Sequence, residues 1–375
     1  MQPRQLDKPD YMQIAMKTTE LDRLRAPPTL PAGGTTMTAI VQDRYGSAPE
    51  GLLRLAEIDR PAIRSGEVLV RVQAASVDRG TWHIMSGLPY PIRLAGFGLR
   101  RPKYANPGRS LAGTVEAVGA DVTDFVPGDD VFGMATGTFA EYAAARTGKL
   151  ARKPVNLSFD QAAAVPGSGT TALQAVRDHG RVQAGEKVLI IGASGGVGSF
   201  AVQIAKAYGA DVTGVCSTAK VDMVRALGAD SVLDYTREDF ADGRPRYDVI
   251  LDIGGNARLS HLRRALTPRG RLVIVGGETD GRLLGGASRQ LRAQLLSPFV
   301  SQKLGTFVAS ETAADLSALR ELIETGKLSP AIDRTYPLAE TPAAIRHLLD
   351  GQARGKLVIS VSSRTAQSPD PGSTP

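Results

Sequence analysis

The sequence predicts an α/β chain in which a mostly β, barrel-like half is followed by a doubly wound parallel sheet, and three observations carry that prediction. Val188, Leu189, Ile190 and Ile191 form a short continuous apolar run, as in a strand buried on both faces of a parallel sheet. Gly192, Gly195, Gly196 and Gly198 follow at once, and then Val197, Phe200, Ala201, Ile204, Ala205 and Tyr208 recur on one helical face that Gly209 is placed to end. From there strand-like and helical segments alternate, the order that right-handed parallel crossovers require.

Taken in order, residues 1–36 mix Arg4, Lys8, Lys17, Arg23 and Arg25 with Asp7, Asp10, Glu20 and Asp22 and end in prolines and glycines. They read as a disordered extension, or as the product of a start upstream of Met37. Residues 37–160 read as the barrel-like part, with strands at Thr38 to Gln42, Val68 to Val72, Leu111 to Val118 and Asp130 to Phe132. Gly113 and Gly119 inside such strands predict tight bends.

Residues 161–310 read as the parallel-sheet part, in which helices at Gln161 to Ala164 and Ala172 to His179 flank a turn at Pro166 to Gly169. Strands follow at Val212 to Cys216, Ser231 to Tyr235, Asp248 to Ile253 and Arg271 to Gly277, with a helix over Ala257 to Leu266. Residues 311–363 give helices at Asp315 to Thr325 and Thr341 to Leu349 and a strand at Lys356 to Val361, and residues 364–375 read as a disordered tail.

Composition excludes several classes. A chain of 375 residues, 42% hydrophobic and 22% charged, is long enough for two cores, and no apolar run approaches bilayer length. Neither a membrane partner nor a secretory signal is expected, and a cytoplasmic enzyme is the default. Cys216 is the single cysteine, so a disulfide framework or a cysteine-based zinc site cannot be built within one chain. The net charge of +7 is mainly arginine, denser at Arg93, Arg100, Arg101 and Lys103 and again at Arg258, Arg263, Arg264, Arg269 and Arg271. No aromatic platform is interleaved with it, so a solvated basic face is favoured over a nucleic-acid surface.

The glycine spacing has a physical reading: a tight reversal after the strand, close approach of backbone N–H groups to a pyrophosphate, and hard packing of helix on sheet. Gly192, Ser194, Gly195, Gly196, Val197 and Gly198 are therefore candidate cofactor residues, in a variant pattern with Ala193 where the commonest motif has its first glycine. The predicted second strand ends at Cys216-Ser217-Thr218 with Lys220 next, and no carboxylate occurs until Asp222. Hydroxyls and an ammonium suit a ribose 2′-phosphate better than a free 2′-hydroxyl.

Several ordered segments resemble one family. Gly66-Glu67-Val68-Leu69-Val70-Arg71-Val72, Ala112 to Gly119, Pro127-Gly128-Asp129-Asp130-Val131-Phe132-Gly133, the glycine loop and Gly355-Lys356-Leu357-Val358-Ile359 are similar to zinc-independent medium-chain dehydrogenases/reductases of the quinone oxidoreductase type. The resemblance covers Met37 to about Ser362. It implies a GroES-like catalytic domain interrupted by a Rossmann domain, with the C-terminal segment returning to the first, and a homodimer through the Rossmann sheets. It further implies that Lys220 and Tyr235 grip a 2′-phosphate, so that the cofactor is NADPH, and that Thr171, Gly276 and Gly277 approach it.

The resemblance points the substrate pocket to the segment Val77 to His83 and to Tyr90, with Asp78 and Tyr90 the catalytic candidates. The family shows Asn and Pro where Asp78 and Arg79 stand, so the substrate side departs from the pattern. No metal ligand is assigned. His83, His179, His261 and His347 are scattered, Cys216 reads as a core thiol, and Ser194 is assigned to phosphate rather than to nucleophilic attack.

Without a Lewis acid, hydride addition to an electron-poor conjugated acceptor asks less than alcohol oxidation. The expected function is NADPH-dependent reduction of a small quinone or α,β-unsaturated carbonyl. An aldehyde or ketone reductase is the alternative, and a crystallin-like or RNA-binding protein that keeps a nucleotide site is the non-enzyme reading.

Overall fold

The computed structural model describes residues 35–243, 246–276 and 287–361. The expected extension and tail therefore fall almost wholly outside the described residues; Thr36, counted in the extension, opens the first strand.

The first half is antiparallel. β1 (Thr36–Val41) and β2 (Arg54–Asp59) form a ribbon. A seven-stranded sheet takes β3 (Glu67–Val77), β4 (Ser110–Val118), β5 (Asp130–Met134), β6 (Tyr142–Arg146), β7 (Leu150–Arg152), β14 (Ile332–Pro337) and β15 (Lys356–Ser360), in the order β14-β15-β3-β4-β5-β7 with β6 also on β3. β3 is the spine. It pairs with β4 along its length, with β6 over Glu67 to Arg71, and with β15 over Ala74 to Val77. The last described strand thus lies beside β3, antiparallel to it.

The second sheet is parallel and six-stranded: β8 (Lys187–Ile191), β9 (Asp211–Cys216), β10 (Ser231–Asp234), β11 (Tyr247–Asp252), β12 (Leu266–Ile274) and β13 (Lys303–Thr306), in the order β10-β9-β8-β11-β12-β13. Strand order reverses between β8 and β11, and a crevice opens beyond the carboxyl ends of strands at such a switch point. The helix Gly196–Ala207 buries Phe200, Ala201, Ile204 and Ala205 against this sheet. Gly209, at φ +81°, ends its last turn.

Among the predicted stretches, two take a different form. Pro166 to Gly169 is no turn: it opens the helix Pro166–Gln174, in which Pro166 occupies the first turn where its missing N–H costs nothing. β12 begins at Leu266, earlier than the predicted Arg271, because Tyr247 pairs with Leu266 and a bulge absorbs Pro268 and Gly270 before Val249 pairs with Arg271. It ends at Ile274, and Gly277 lies outside the described residues.

One core joins the two sheets. Ala74, Ala112, Phe132 and Val358 of the antiparallel sheet share a buried cluster with Val188, Ile190 and Val249 of the parallel one and Phe200 of the helix Gly196–Ala207, through Ala162 to Val165 and Leu173. Gly113 in β4 and Gly119 just past its end are required by close approach: a Cβ on Gly113 would lie 2.2 Å from the Arg71 carbonyl oxygen, and one on Gly119 2.1 Å from that of Arg64. Gly113→Ala is expected to cost about 1–3 kcal/mol through forced overpacking, read as a lower urea midpoint at unchanged slope.

Candidate functional site

The glycine loop sits at the carboxyl end of β8. Gly192 has φ +85°, and a Cβ there would lie 2.9 Å from the Gly254 nitrogen; one on Gly198 would lie 2.1 Å from the Gly192 carbonyl oxygen. Gly195 caps the helix Gly196–Ala207, so the first-turn N–H groups of Gly196, Val197 and Gly198 have no acceptor in a preceding turn. Such a terminus is a cradle for phosphate. Ala193 fits where a glycine is commoner because residue 214 on the adjacent strand is itself glycine: a Cβ there would come 3.1 Å from the Ala193 methyl. The loop is tied to the C-terminal segment, since the Gly355 N–H donates to the Ser194 carbonyl at 2.9 Å.

Ser217, Lys220 and Tyr235 are brought together where β9 and β10 end. Ser217 precedes the single turn Thr218–Lys220, and the Tyr235 N–H donates to the Cys216 carbonyl. Tyr235 is 63% exposed. The Lys220 ammonium donates to the carbonyls of Gly351 (3.0 Å) and Ala353 (2.8 Å). Burial and the neighbouring Arg354 charge push its pKa down, against the opposing pull of Asp333. Asp234 stands in the same corner, a carboxylate at the end of β10 rather than of β9. Its oxygens are engaged by the Thr218 hydroxyl and by the N–H and hydroxyl of Thr236, and the Thr218 bond above all holds its carboxyl below the usual range.

The other end of the loop faces the junction of the two sheets. Asp78 caps the helix Arg79–Ser86, its Oδ1 accepting from the Thr81 N–H at 2.8 Å. Its Oδ2 lies 3.0 Å from where a Cβ of Gly167 would be. Beside it is Lys356, 1% exposed, whose Nζ donates to the Val77 carbonyl (2.9 Å) and to Ser168 Oγ (3.2 Å). The lysine stem passes under the glycine loop, its Cδ 3.1 Å from where a Gly196 Cβ would lie. Burial pushes this ammonium's pKa down and the Asp78 charge opposes the shift.

Thr171 lies one helical turn from Gly167, to whose carbonyl its hydroxyl donates at 2.8 Å. Gly276 follows β12, and a Cβ there would sit 2.1 Å from the Ile253 carbonyl oxygen. The buried Asp252, at the end of β11, holds that edge: it accepts from the Gly255 N–H and from Arg289, which also donates to the Gly276 carbonyl. Tyr90 is not gathered into this cluster; its ring packs against Arg93, with the guanidinium carbon 4.9 Å from the centroid.

Among the described residues, no three His, Cys, Asp or Glu side chains come together as a metal site. His83 Nδ1 is 2.7 Å from the Leu88 carbonyl, His179 stacks on Phe307, His261 faces Asp239, and His347 lies between Tyr336 and Asp333. Cys216 is buried, and burial pushes its thiol pKa up, away from reactivity.

Comparison with known proteins agrees with this geometry. The alcohol dehydrogenase GroES-like domain family matches residues 64–155 and the zinc-binding dehydrogenase family residues 227–359. Mouse mitochondrial NAD(P)H oxidoreductase RTN4IP1 is 34% identical over 89% of this chain and 91% of its own. The chain belongs to the medium-chain dehydrogenase/reductase superfamily, and within it is quinone oxidoreductase-like. A chloroplastic quinone-oxidoreductase, QR1 of Triphysaria versicolor, is 31% identical over 87% of this chain and 99% of its own. The quinone oxidoreductase structure from Coxiella burnetii superposes with a TM-score of 0.76, at 28% identity over 87% of this chain and all of its own. This superfamily member is an NAD(P)H-dependent oxidoreductase of the quinone oxidoreductase type.

Of the residues missed in the superfamily site, Lys356 had a signal: a lysine opening an otherwise apolar strand, Lys-Leu-Val-Ile, beside a glycine. Asp252 and Arg289 had none, being 37 positions apart.

Two outcomes follow from the geometry. Gly198→Ala is expected to weaken dinucleotide affinity about tenfold or more, read by quenching of intrinsic fluorescence, because its methyl overlaps the Gly192 carbonyl. For Lys356, the unfolded chain binds more protons than the folded one between the lowered pKa and 10.5, so stability rises with pH across that window. Urea unfolding at rising pH is expected to show that gain in the wild type and not in Lys356→Met.

Proposed function

We propose that this oxidoreductase reduces a quinone or an α,β-unsaturated carbonyl with NADPH and without zinc. The observation that carries the reading is the charge at the ends of β9 and β10. Lys220 brings an ammonium to the turn that follows Ser217, where it meets the Gly351 and Ala353 carbonyls, whereas the nearby carboxylate, Asp234, is turned onto Thr218 and Thr236. A free ribose hydroxyl calls for a carboxylate acceptor, and a 2′-phosphate for cations and hydroxyls. Arg354, close enough to depress the Lys220 pKa, adds positive potential to the same corner.

When bound, the dinucleotide supplies the hydride. The chain's own residues hold and orient: the N–H groups of Gly196, Val197 and Gly198 meet the pyrophosphate, and Lys220 exchanges the carbonyls of Gly351 and Ala353 for phosphate oxygens. Asp78 keeps one oxygen on the Thr81 N–H and fixes the wall of the acceptor pocket. The proton comes from water or from a hydroxyl that the acceptor itself approaches. The lack of a grouped ligand set among the described residues supports zinc-independence, and a conjugated acceptor suits it because delocalisation does part of what a Lewis acid would do. The quinone oxidoreductase relative supports the acceptor class. The reading includes a homodimer and a cytoplasmic location; no described helix is long and apolar enough to cross a membrane.

Two measurements test it. Lys220→Ala is expected to raise KM for NADPH about tenfold with KM for NADH unchanged; equal change for both overturns the cofactor assignment. Purified protein mixed with NADPH and a panel of quinones, enones and simple aldehydes is expected to oxidise NADPH with the first two. Turnover of aldehydes alone, or activity lost to a chelator and restored by zinc, overturns the acceptor and metal assignments respectively.

A further inference from the structure

One basic cluster stands apart from the dinucleotide site. From Arg79 to Val115 the chain contains no Asp or Glu, while Arg93, Arg100, Arg101 and Lys103 crowd into a few turns. The segment is built, not loose. The Tyr45 hydroxyl lies 2.7 and 2.6 Å from the carbonyl oxygens of Phe97 and Gly98, and the Lys103 N–H donates back to Phe97 at 2.7 Å. Gly98, at φ +103°, allows the closure: a Cβ would sit 2.2 Å from the Arg101 carbonyl oxygen. Arg93 is consumed in the construction, its Nε donating to the Gly87 carbonyl and its guanidinium 4.4 Å from the Tyr45 ring centroid.

What this closed loop presents outward is unusual. Leu94 is 76% exposed and Leu99 64%, and Arg100, Arg101, Lys103 and Tyr104 around them are exposed as well. Among the described residues none of Arg100, Arg101 and Lys103 forms an ion pair with a carboxylate. Two leucines held in water by a fixed backbone, ringed by unpaired cations, call for a partner that is both apolar and anionic.

We propose that the loop 93–104 is a docking surface for an anionic lipid bilayer, with Leu94 and Leu99 entering the headgroup boundary and Arg100, Arg101 and Lys103 meeting lipid phosphates and carboxylates. The chemistry selects this occupant. A second copy of the chain would set these same cations against one another across a two-fold axis. A nucleic acid would take the cations and leave the leucines wet. A bilayer satisfies both, by apolar insertion and by its negative surface potential. The sequence alone, which offers only spans and signals to weigh, assigns no membrane partner; peripheral contact needs neither. The inference holds whichever acceptor receives the hydride.

The test is co-sedimentation of the full chain with phosphatidylcholine vesicles and with equimolar phosphatidylcholine and phosphatidylserine vesicles, without substrate. Binding is expected on the anionic vesicles and not on the neutral ones, weakening as salt rises. The triple variant Arg100→Glu, Arg101→Glu, Lys103→Glu is expected to bind roughly a hundredfold more weakly, and Leu94→Ser with Leu99→Ser roughly tenfold. Retained NADPH binding in both variants shows that they fold. No sedimentation of the wild type, or a triple variant that sediments like the wild type, overturns the proposal. So does a leucine variant indistinguishable from wild type, which would leave only a cationic face open to nucleic acid.

Discussion

The buried ammonium of Lys356 is the contact on which the rest of the site depends. A lysine taken wholly out of water is tolerated only when its N–H groups find acceptors and a negative charge lies near. The acceptors here come from two places far apart in sequence: the Val77 carbonyl at the end of β3 and Ser168 Oγ in the first turn of the helix Pro166–Gln174. Asp78 supplies the nearby charge. These partners assemble only when the last strand has returned to β3 and the helix has packed against both sheets. The stem of the same lysine lies under Gly196, so closing the chain's two ends together also sets the floor of the glycine loop.

The loop's own geometry is a matter of room. Gly192, Gly198 and Gly276 each stand where a methyl would strike backbone at about van der Waals overlap or worse, whereas Ala193 is tolerated because the next strand gives way at Gly214. The substitution lies in the loop just after β8 and the compensation on the neighbouring β9, where Ile190 pairs with Gly214. The variant motif is therefore a repacked version of the common one, with the phosphate-facing N–H groups kept clear.

Much of this was legible in residue order. The apolar run 188–191, its glycines and the helical face from Val197 to Tyr208 predict β8, the loop and the helix, because a strand buried on both faces and an amphipathic helix leave different periodicities. β13, β14 and β2 were not legible. Lys-Leu-Gly-Thr is too short to show a period, and Ile332–Pro337 mixes charges along an edge strand that exists because β15 offers it a partner. The helix begun at Pro166 was hidden for a similar reason: Pro-Gly-Ser-Gly has turn composition, and burial against both sheets overrides it.

The sequence by itself determined the phosphate cradle, the lysine and hydroxyls at the end of β9, and the poverty in cysteine, because each depends on residue type at short spacing. Only the tertiary structure decided what those residues touch. It turned the Asp234 carboxylate away onto two threonines, paired Asp252 with Arg289, drew Lys220 to the carbonyls near the C-terminal strand, and set Leu94 and Leu99 in water on a closed loop. Most of these partners come from segments far apart in the chain, and local spacing does not encode which distant segment a side chain will meet.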